Sequence, residues 1–313
     1  METKKKNLRA GFLRRVFWGF CLLVFGTLGA FAQSSTTVVG TGNPAVDVPN
    51  VQNAVDNFDT VYLQGNFDFG DQFVQVSRPN VTLTAQALGD AAITGVMFDQ
   101  GMNPGKSNPN EGMIHVEGDG VTVPTGFTMT NLIFECENLN FRSTAVSIYN
   151  IEDAANVTTI ENNKIMDVAW NAMGLHTAWV QGKIYIRNND FSGFRCLFTY
   201  PMGGGNSEEL LEIGHNSFAG LTMAVVLQVH NMKVDIHHNE IDGGSVGILS
   251  NNWAYYDMSP DPPYYPRDPE IEPPTIIRNN QISNCWAVPI LLGNGAASIN
   301  HFVTENTIIG NSW

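Results

Sequence analysis

Apolar and polar positions recur along most of the chain with a period of about 25 residues. In each period a short apolar strand ends at an asparagine, and an apolar residue stands two positions later. The asparagines are Asn131, Asn163, Asn189, Asn216, Asn239, Asn280 and Asn306. Their apolar partners are Ile133, Ile165, Phe191, Phe218, Ile241, Ile282 and Ile308. A unit this short cannot bury its own apolar face, so successive units are expected to stack.

Each period predicts a strand, an asparagine turn, a second short strand and a loop. Asparagine suits the turn because it tolerates left-handed backbone and bonds locally to main chain. We expect Asn163, Asn189, Asn216 and Asn239 to form a stacked internal ladder. Residues three positions before the asparagine are β-branched in six periods: Ile160, Ile186, Ile213, Ile236, Ile277 and Val303. Later apolar strands are predicted at Val146–Ile148, Cys196–Phe198, Val225–Leu227, Val246–Leu249 and Pro289–Leu292.

This I-x-x-N-x-[IF] pattern, from about Val121 to Trp313, resembles that of the pectin-lyase-like proteins. The resemblance implies an all-β fold: a single-stranded, right-handed parallel β-helix solenoid. Before Val121 the sequence predicts a short N-terminal capping helix, which would cover the open end of the stack. The apolar face of this helix is Val51, Ala54, Val55 and Phe58. Further strands are predicted at Thr60–Leu63, Phe73–Val76, Val81–Thr84, Ala92–Thr94 and Met113–Val116.

Residues 1–32 have the pattern of a secretion signal peptide. Basic residues precede the apolar run Val16–Leu28, and Ala30-Phe31-Ala32 matches a cleavage site. The run is too short to span a bilayer comfortably. The protein is therefore expected to be exported, to the periplasm, the cell surface or the medium, and to have no membrane span. Residues 33–313 would form one β-helix domain, with a tyrosine- and proline-rich loop insertion at 253–274.

Cleavage after residue 32 would leave 10 basic and 29 acidic residues, a net charge of −19. Nucleic-acid binding requires a basic stripe, so a nucleic-acid partner is not expected. Polyanions would be repelled unless a cation bridges them or basic residues cluster locally. Three cysteines remain. They are Cys136, Cys196 and Cys285. Cys196 and Cys285 lie in apolar strands, which predicts buried thiols. An odd number of cysteines leaves at least one unpaired, and no disulfide framework is expected.

Stacking in register would align the segments that follow the later apolar strands along one side of the solenoid. Aromatic and amide groups there suit a polysaccharide, because sugar C–H faces stack on rings and hydroxyls need polar partners. The predicted substrate-binding residues are Trp179, Asn252, Trp253, Tyr255, Tyr256, Tyr264 and Tyr265.

Two classes of function are open. The first is a secreted polysaccharide-active protein, with a polysaccharide lyase as the candidate enzyme. In β-elimination on a uronate polymer, Tyr200 and His176 or His230 would serve as base and acid, and Arg195 or Asn252 would neutralise the carboxylate. The alternative is a non-catalytic surface or structural β-helix protein, adhesin-like or envelope-associated. The paired aspartates of polygalacturonases and the R-x-P-x-x-R element of pectate lyases are absent from the sequence.

His237, His238 and Glu240 are the candidate metal ligands of the sequence. Adjacent side chains of a strand point to opposite faces, so the two histidines are expected to be surface and turn residues, and no metal site is predicted. Calcium stays open as a cofactor, without a clear site.

The C-terminal end of the chain predicts an exposed end of the stack. Ile308, Ile309 and Trp313 would face it without a capping helix. We therefore expect either self-association through this end or a natural sequence that continues past Trp313.

Overall fold

The computed structural model describes residues 34–96, 112–139, 143–170, 172–200, 208–227, 232–251, 274–293 and 301–310. The predicted signal (1–32) lies outside these ranges, as does the predicted insertion apart from Pro274. The described residues from Ser35 onward belong to one compact unit.

This unit contains a helix, α1 (Pro44–Asn57), and 24 strands among its described residues. The N-terminal strands are β1 (Ser35–Val39), β2 (Thr60–Asp68), β3 (Val74–Val76), β4 (Thr82–Thr84), β5 (Ala91–Thr94), β6 (Gly112–Val116), β7 (Thr128–Thr130), β8 (Ile133–Glu135) and β9 (Thr144–Ile151). The next strands are β10 (Val157–Glu161), β11 (Lys164–Val168), β12 (Met173–Val180), β13 (Lys183–Arg187), β14 (Asp190–Tyr200), β15 (Leu210–Gly214) and β16 (Ser217–Leu227). The last are β17 (Lys233–His237), β18 (Glu240–Asp242), β19 (Val246–Asn251), β20 (Thr275–Arg278), β21 (Gln281–Ser283), β22 (Val288–Gly293), β23 (His301–Thr304) and β24 (Thr307–Ile309).

As the sequence predicts, the strands wind into a right-handed parallel β-helix. Its coils have three faces, one more than the two strands per period that the sequence predicts. The first face stacks β1, the start of β2, then β4, β7, β10, β13, β15, β17, β20 and β23. The second face stacks the end of β2, then β5, β8, β11, the starts of β14 and β16, β18, β21 and β24. The third face stacks β3, β6, β9, β12, the ends of β14 and β16, β19 and β22. Every pairing among these strands is parallel.

The core is the set of inward side chains, which alternate with outward ones along each strand. Five of the six residues three positions before the repeat asparagines form one fully buried column: Ile160, Ile186, Ile213, Ile236 and Ile277. The sixth, Val303, is exposed in the last described coil. On the second face the Phe191 and Phe218 rings stack with centroids 5.0 Å apart. The apolar spacing of the sequence therefore corresponds to real columns of the core.

The predicted asparagine ladder is confirmed, and it extends to Asn280 and Asn306. Each amide oxygen accepts from the backbone N–H of the asparagine one coil earlier, at 2.9–3.0 Å. Asn131 is not a member, because Leu132 holds the ladder position and donates its N–H to Asn163 Oδ1 at 3.0 Å. The left-handed backbone of each turn belongs to the residue before the ladder asparagine, as at Asn162 and Asn188. The sequence-based alignment was thus one residue off at Asn131.

The capping helix is also present. α1 begins after Asn43, whose side chain accepts from the Ala45 N–H at 3.1 Å, and Pro44 occupies the first turn, where no hydrogen-bond donor is needed. Val51, Ala54 and Val55 are buried against the first coils, and Phe58 ends the helix as a half-buried residue. The predicted apolar face is therefore correct.

The remaining sequence expectations can be located briefly. Cys136, Cys196 and Cys285 are all buried free thiols. Within the described residues, no helix is long and apolar enough to cross a membrane. In the last described coil Phe302, Val303, Ile308 and Ile309 are exposed. Self-association through this end stays a prediction.

Three threonine hydroxyls are buried in the described third face without a hydrogen-bond partner: Thr144, Thr177 and Thr199. Thr177 pairs with Ile148 of the preceding coil, so an apolar residue fits this column. We expect Thr177→Val to raise the free energy of unfolding by about 1 kcal/mol, because it removes a buried hydroxyl that bonds nothing. Thr158→Val is the matched control and should be destabilising, since the Thr158 hydroxyl lies 3.3 Å from Asn156 Oδ1. Urea denaturation measures both; an equal loss in the two variants would contradict the assignment.

Candidate functional site

A line of rings runs along the outer side of the third face and is called here the ring column. Its neighbouring ring centroids lie 5.1–5.9 Å apart. Its members are Phe73, His115, Tyr149, His176 and Phe198. The strand register builds the column, because His115, Ser147, His176 and Phe198 occupy successive partner positions from β6 to β14. With Phe73, which directly precedes β3, residues from five coils thus form one continuous line.

A hydroxyl, an imidazole and a carboxylate form a hydrogen-bonded chain in this column. Ser147 Oγ lies 2.7 Å from His115 Nδ1, and His115 Nε2 lies 2.7 Å from Glu117 Oε2. The Gly112 N–H also donates to Ser147 Oγ, at 2.7 Å. Such a chain can fix which ring nitrogen of His115 carries the proton, or it can relay a proton between its members. Ser147 is fully buried, so it is not placed to attack an external substrate.

Tyr149 and His176 form the second polar pair of the ring column. The Tyr149 hydroxyl is hydrogen-bonded to His176 Nδ1. Burial lowers the pKa of His176 to about 3, so the imidazole is neutral at physiological pH. A neutral imidazole can accept the phenolic proton. The pair therefore has the chemistry of a proton-transfer unit, although both side chains are only 4% exposed.

Two of the predicted catalytic residues, His176 and Tyr200, do not share the column that the sequence analysis expected. The partner of His176 in the next coil is Phe198, whereas Tyr200 pairs with Ala178. The expected alignment of His176 with Tyr200 was therefore wrong by two residues, because His176 lies inside β12 rather than after it. Arg195 pairs with Met223, three residues before the Phe198 position.

The other predicted residues lie mostly outside the described ranges. These are His230, Asn252, Trp253, Tyr255, Tyr256, Tyr264 and Tyr265. Trp179 is described and is 50% exposed, with a left-handed backbone (φ 59°). It occupies the same turn position as Asn150 of the preceding coil, which is also left-handed, so the unusual angle belongs to a repeated turn.

All three tryptophans of the described ranges are at least half exposed. Trp170 is 74% exposed and Trp286 is 63% exposed. Both follow a second-face strand, at the corner between the second and third faces. They are four coils apart along the stack from β11 to β21, roughly 19 Å at the usual strand spacing. We call this corner the tryptophan edge.

Phe194 and Arg195 lie on the tryptophan edge next to Trp170. The Trp170 and Phe194 ring centroids are 4.4 Å apart, and the Arg195 guanidinium carbon is 5.3 Å from the Phe194 ring centroid. Arg195 is half-buried, and its Nε is without a hydrogen-bond partner among the described residues. A cation is thus held beside the buried Phe194 ring, which packs against the exposed Trp170 ring. A guanidinium group at this place suits a sugar carboxylate or hydroxyl.

A histidine cluster lies at another corner, between the first and second faces. The ligating nitrogens of His215, His237 and His238 all lie within 4.8 Å of one another. His237 Nδ1 is 3.0 Å from His238 Nδ1, and the His215 and His238 rings stack at 4.9 Å. The expectation that His237 and His238 point apart was wrong, because His238 has a left-handed backbone (φ 52°) that breaks the strand alternation. Glu240 stays outside the cluster.

Carboxylates surround the inner member of this cluster. His237 Nε2 lies 3.3 Å from Glu212 Oε1, and Arg187 binds the same carboxylate through two contacts of 2.6 Å. Burial lowers the pKa of His237 despite the nearby acidic groups. Burial would raise the pKa of Glu212, but the hydrogen bonds from Arg187 outweigh it and the pKa is lowered. The cluster therefore combines a neutral imidazole with an ionised carboxylate.

Sequence reasoning missed His115 and Tyr149 of the ring column, and Ser147 and Glu117, which bond to His115. It also missed His215 of the histidine cluster. One sequence signal pointed to His215: it directly precedes the ladder residue Asn216. The residue before each ladder asparagine has a left-handed backbone. The ring column had no comparable signal, since its neighbouring members are 22 to 42 residues apart and meet only through the register.

Comparisons with known proteins add the following. No protein-family profile matches the sequence, and no curated protein matches it. Among solved structures, ORF18 of Geobacillus virus E2 is similar over 87% of this chain and 62% of that chain, with a TM-score of 0.34 and 12% identity. The A-module of mannuronan C-5 epimerase AlgE4 from Azotobacter vinelandii is similar over 87% of this chain and 94% of that chain, with a TM-score of 0.30 and 14% identity. This chain thus spans less than two-thirds of the ORF18 chain, and likeness at this level says nothing about activity.

Proposed function

We propose that the protein is an exported β-helix protein that binds an extracellular glycan along the tryptophan edge. One observation carries the proposal: Trp170 and Trp286, the two tryptophans of this edge, are 74% and 63% exposed. Tryptophan is usually highly buried, and exposing it leaves a large apolar area in water. A ligand that covers the rings removes this area from water, and the apolar C–H faces of sugars fit flat rings.

The geometry favours an extended ligand over a small one. The two tryptophans of the edge are separated by roughly 19 Å, the span of several sugar units, and each lies on a rigid coil. Arg195 lies between them along the stack, with its guanidinium beside the Phe194 ring. The net charge of −19 left after signal removal disfavours a highly charged polyanion, so neutral glycans or cation-bridged uronates are the proposed ligand class.

Substitution of the edge tryptophans tests this function. We expect Trp170→Ala and Trp286→Ala each to weaken glycan binding about tenfold, the effect of losing one stacked aromatic contact of about 1.4 kcal/mol. Affinity gels and calorimetry with a panel of neutral and uronate polymers, with and without calcium, measure it. Neither substitution should lower the melting temperature much, because both rings are exposed.

Trp179→Ala is the matched control, because Trp179 is also half exposed, at 50%, but lies at the end of the third face. A loss confined to Trp179→Ala would place the ligand where the sequence analysis expected it. A panel without any retained polymer, or unchanged retention in all three variants, would overturn glycan binding.

A second candidate function, β-elimination on a uronate, is favoured by the Tyr149–His176 pair. Tyrosine and a neutral histidine in hydrogen-bond contact could take the C5 proton and protonate the leaving oxygen. Because Tyr149 and His176 are each only 4% exposed, catalysis requires a rearrangement that exposes them to the substrate. Binding at the tryptophan edge requires no such rearrangement. Release of unsaturated product would support it, and Tyr149→Phe should then abolish product while retaining edge binding. Absence of product from every uronate polymer would leave a non-catalytic binding protein.

A further inference from the structure

The histidine cluster interrupts a column of asparagines. In successive coils the residue before the ladder asparagine has φ between 52° and 58°. Asn162, Asn188 and Asn279 hold this position in three coils, while His215 and His238 hold it in two adjacent coils. Histidine also tolerates left-handed backbone, so the fold does not require it there. The two rings are exposed and nearly parallel, at 12°.

His237 is held against these two rings by its surroundings. Its partner in the coil below is Gly214, and a Cβ there would lie 2.6 Å from the His237 ring. Glycine thus makes room for the ring. Glu212 contacts His237 Nε2, which leaves Nδ1 facing His238 Nδ1. A carboxylate on the far nitrogen of a histidine is the usual arrangement behind a metal ligand, since it fixes the tautomer and ring orientation.

We propose that His215, His237 and His238 bind one divalent transition-metal ion of the zinc class. Imidazole nitrogens suit zinc, copper and nickel, whereas calcium prefers oxygen ligands. Two nitrogens bound at 2.0–2.1 Å in a tetrahedron are about 3.3 Å apart, close to the 3.0 Å between His237 Nδ1 and His238 Nδ1. The third nitrogen lies within 4.8 Å and requires only a small ring movement.

Three protein ligands leave a fourth position for water or an exogenous ligand, which the exposure of His215 and His238 keeps accessible. The site lies at the corner between the first and second faces, and the tryptophan edge lies between the second and third. The proposal goes beyond glycan binding and does not depend on it.

Calorimetry with zinc chloride on the tag-free full chain, purified with a chelator that is then removed, tests the site. We expect one ion per chain and a rise in melting temperature with zinc. His215→Asn and His238→Asn install the residue that neighbouring coils carry at this turn, so the fold should be kept. Each should weaken zinc binding at least about tenfold, since loss of even a ligand's hydrogen-bond partner costs 10–100-fold.

Three further variants sharpen the result. Glu212→Gln and Gly214→Ala should weaken zinc binding through the orientation of His237. His301→Gln is the control, because His301 contacts Ser250 at 2.9 Å and lies away from the cluster. His301 begins β23, two coils after β17, whereas His237 is the last residue of β17. Cobalt substitution should give visible absorption that His215→Asn abolishes. No zinc binding by the wild type, or equal affinity in wild type, His215→Asn and His238→Asn, would overturn the site.

Discussion

Replacing Asn216 with leucine should lower the free energy of unfolding by about 3–5 kcal/mol. Asn216 is buried in the middle of the ladder. Its oxygen accepts the Asn189 N–H at 2.9 Å, and its Nδ2 donates to the Ile186 carbonyl at 2.9 Å. Leucine fits the volume but leaves both backbone groups buried without these partners, at about 1–3 kcal/mol each. Urea or thermal denaturation, followed by far-UV circular dichroism, measures the loss.

Asn306→Leu is the matched control. Asn306 makes the same bonds, to the Asn280 N–H at 3.0 Å and the Ile277 carbonyl at 2.8 Å, but it is only half-buried in the last described coil. Water can replace those bonds there, so the cost should be less than half that of Asn216→Leu. Equal costs would mean that the ladder bonds contribute little and that the substitution acts through packing alone.

Replacing Asp47 with asparagine should destabilise the N-terminal cap by about 2–4 kcal/mol. The fully buried carboxylate of Asp47 accepts from the Thr41 N–H and hydroxyl, each at 2.8 Å, through one oxygen. The other oxygen accepts from the N–H groups of Asn43 at 3.1 Å and Asp68 at 3.0 Å. An amide would turn an NH₂ group toward at least one N–H donor, and hydrogen bonds to a charged group are the stronger kind. Hydrogen exchange of α1 and the melting temperature would report it.

The contribution of Asp47 should depend on pH. Burial alone would raise the pKa of its carboxyl, but the hydrogen bonds from Asp68, Thr41 and Asn43 outweigh burial and hold the pKa below its usual value. A carboxyl whose pKa is lowered by folding stabilises the folded protein when the pH is above its pKa in the unfolded chain, which is about 3.9. This stabilisation is lost as the pH falls through the pKa of the folded protein. The difference between wild type and Asp47→Asn should thus be constant at neutral pH and shrink below about pH 4.

Asp119→Asn is the control for Asp47. Asp119 also accepts three hydrogen bonds from nearby residues, including the Thr122 N–H at 2.7 Å, but it is exposed. Its replacement should have a much smaller effect. A comparable loss in both variants would show that local hydrogen bonding, rather than burial of the charge, decides the cost.

Local sequence patterns predict most of the fold. The spacing of apolar residues around the asparagines predicts the stacked coils, the buried isoleucine column and the ladder. The helical face of Val51, Ala54 and Val55 predicts α1, and short apolar runs after it predict the strands near it. The failure at Asn131 came from two adjacent turn positions that both favour asparagine, one for its left-handed backbone and one for its amide bonds. Only the pairing of Leu132 with Asn163 separates them.

The candidate sites were much less accessible from the sequence. His176 was selected, but its neighbours were assigned two residues away, because the alignment placed it after a strand that in fact contains it. His237 and His238 were set aside by the alternation rule, which holds only for extended backbone. One left-handed residue, His238, rotates its side chain out of that pattern and toward His215 of the coil below.

The sequence by itself determined the period, the inward residues and the turn asparagines, since each depends on contacts within one coil or on a pattern repeated in every coil. Only the tertiary structure decided which outward residues meet. Contacts such as Ser147–His115 and Tyr149–His176 join residues 27 to 32 positions apart, and loops of unequal length set their register. Shifting a strand by one residue moves each side chain to the other face. The chemistry of the outer surface therefore depends on register, which local patterns do not encode.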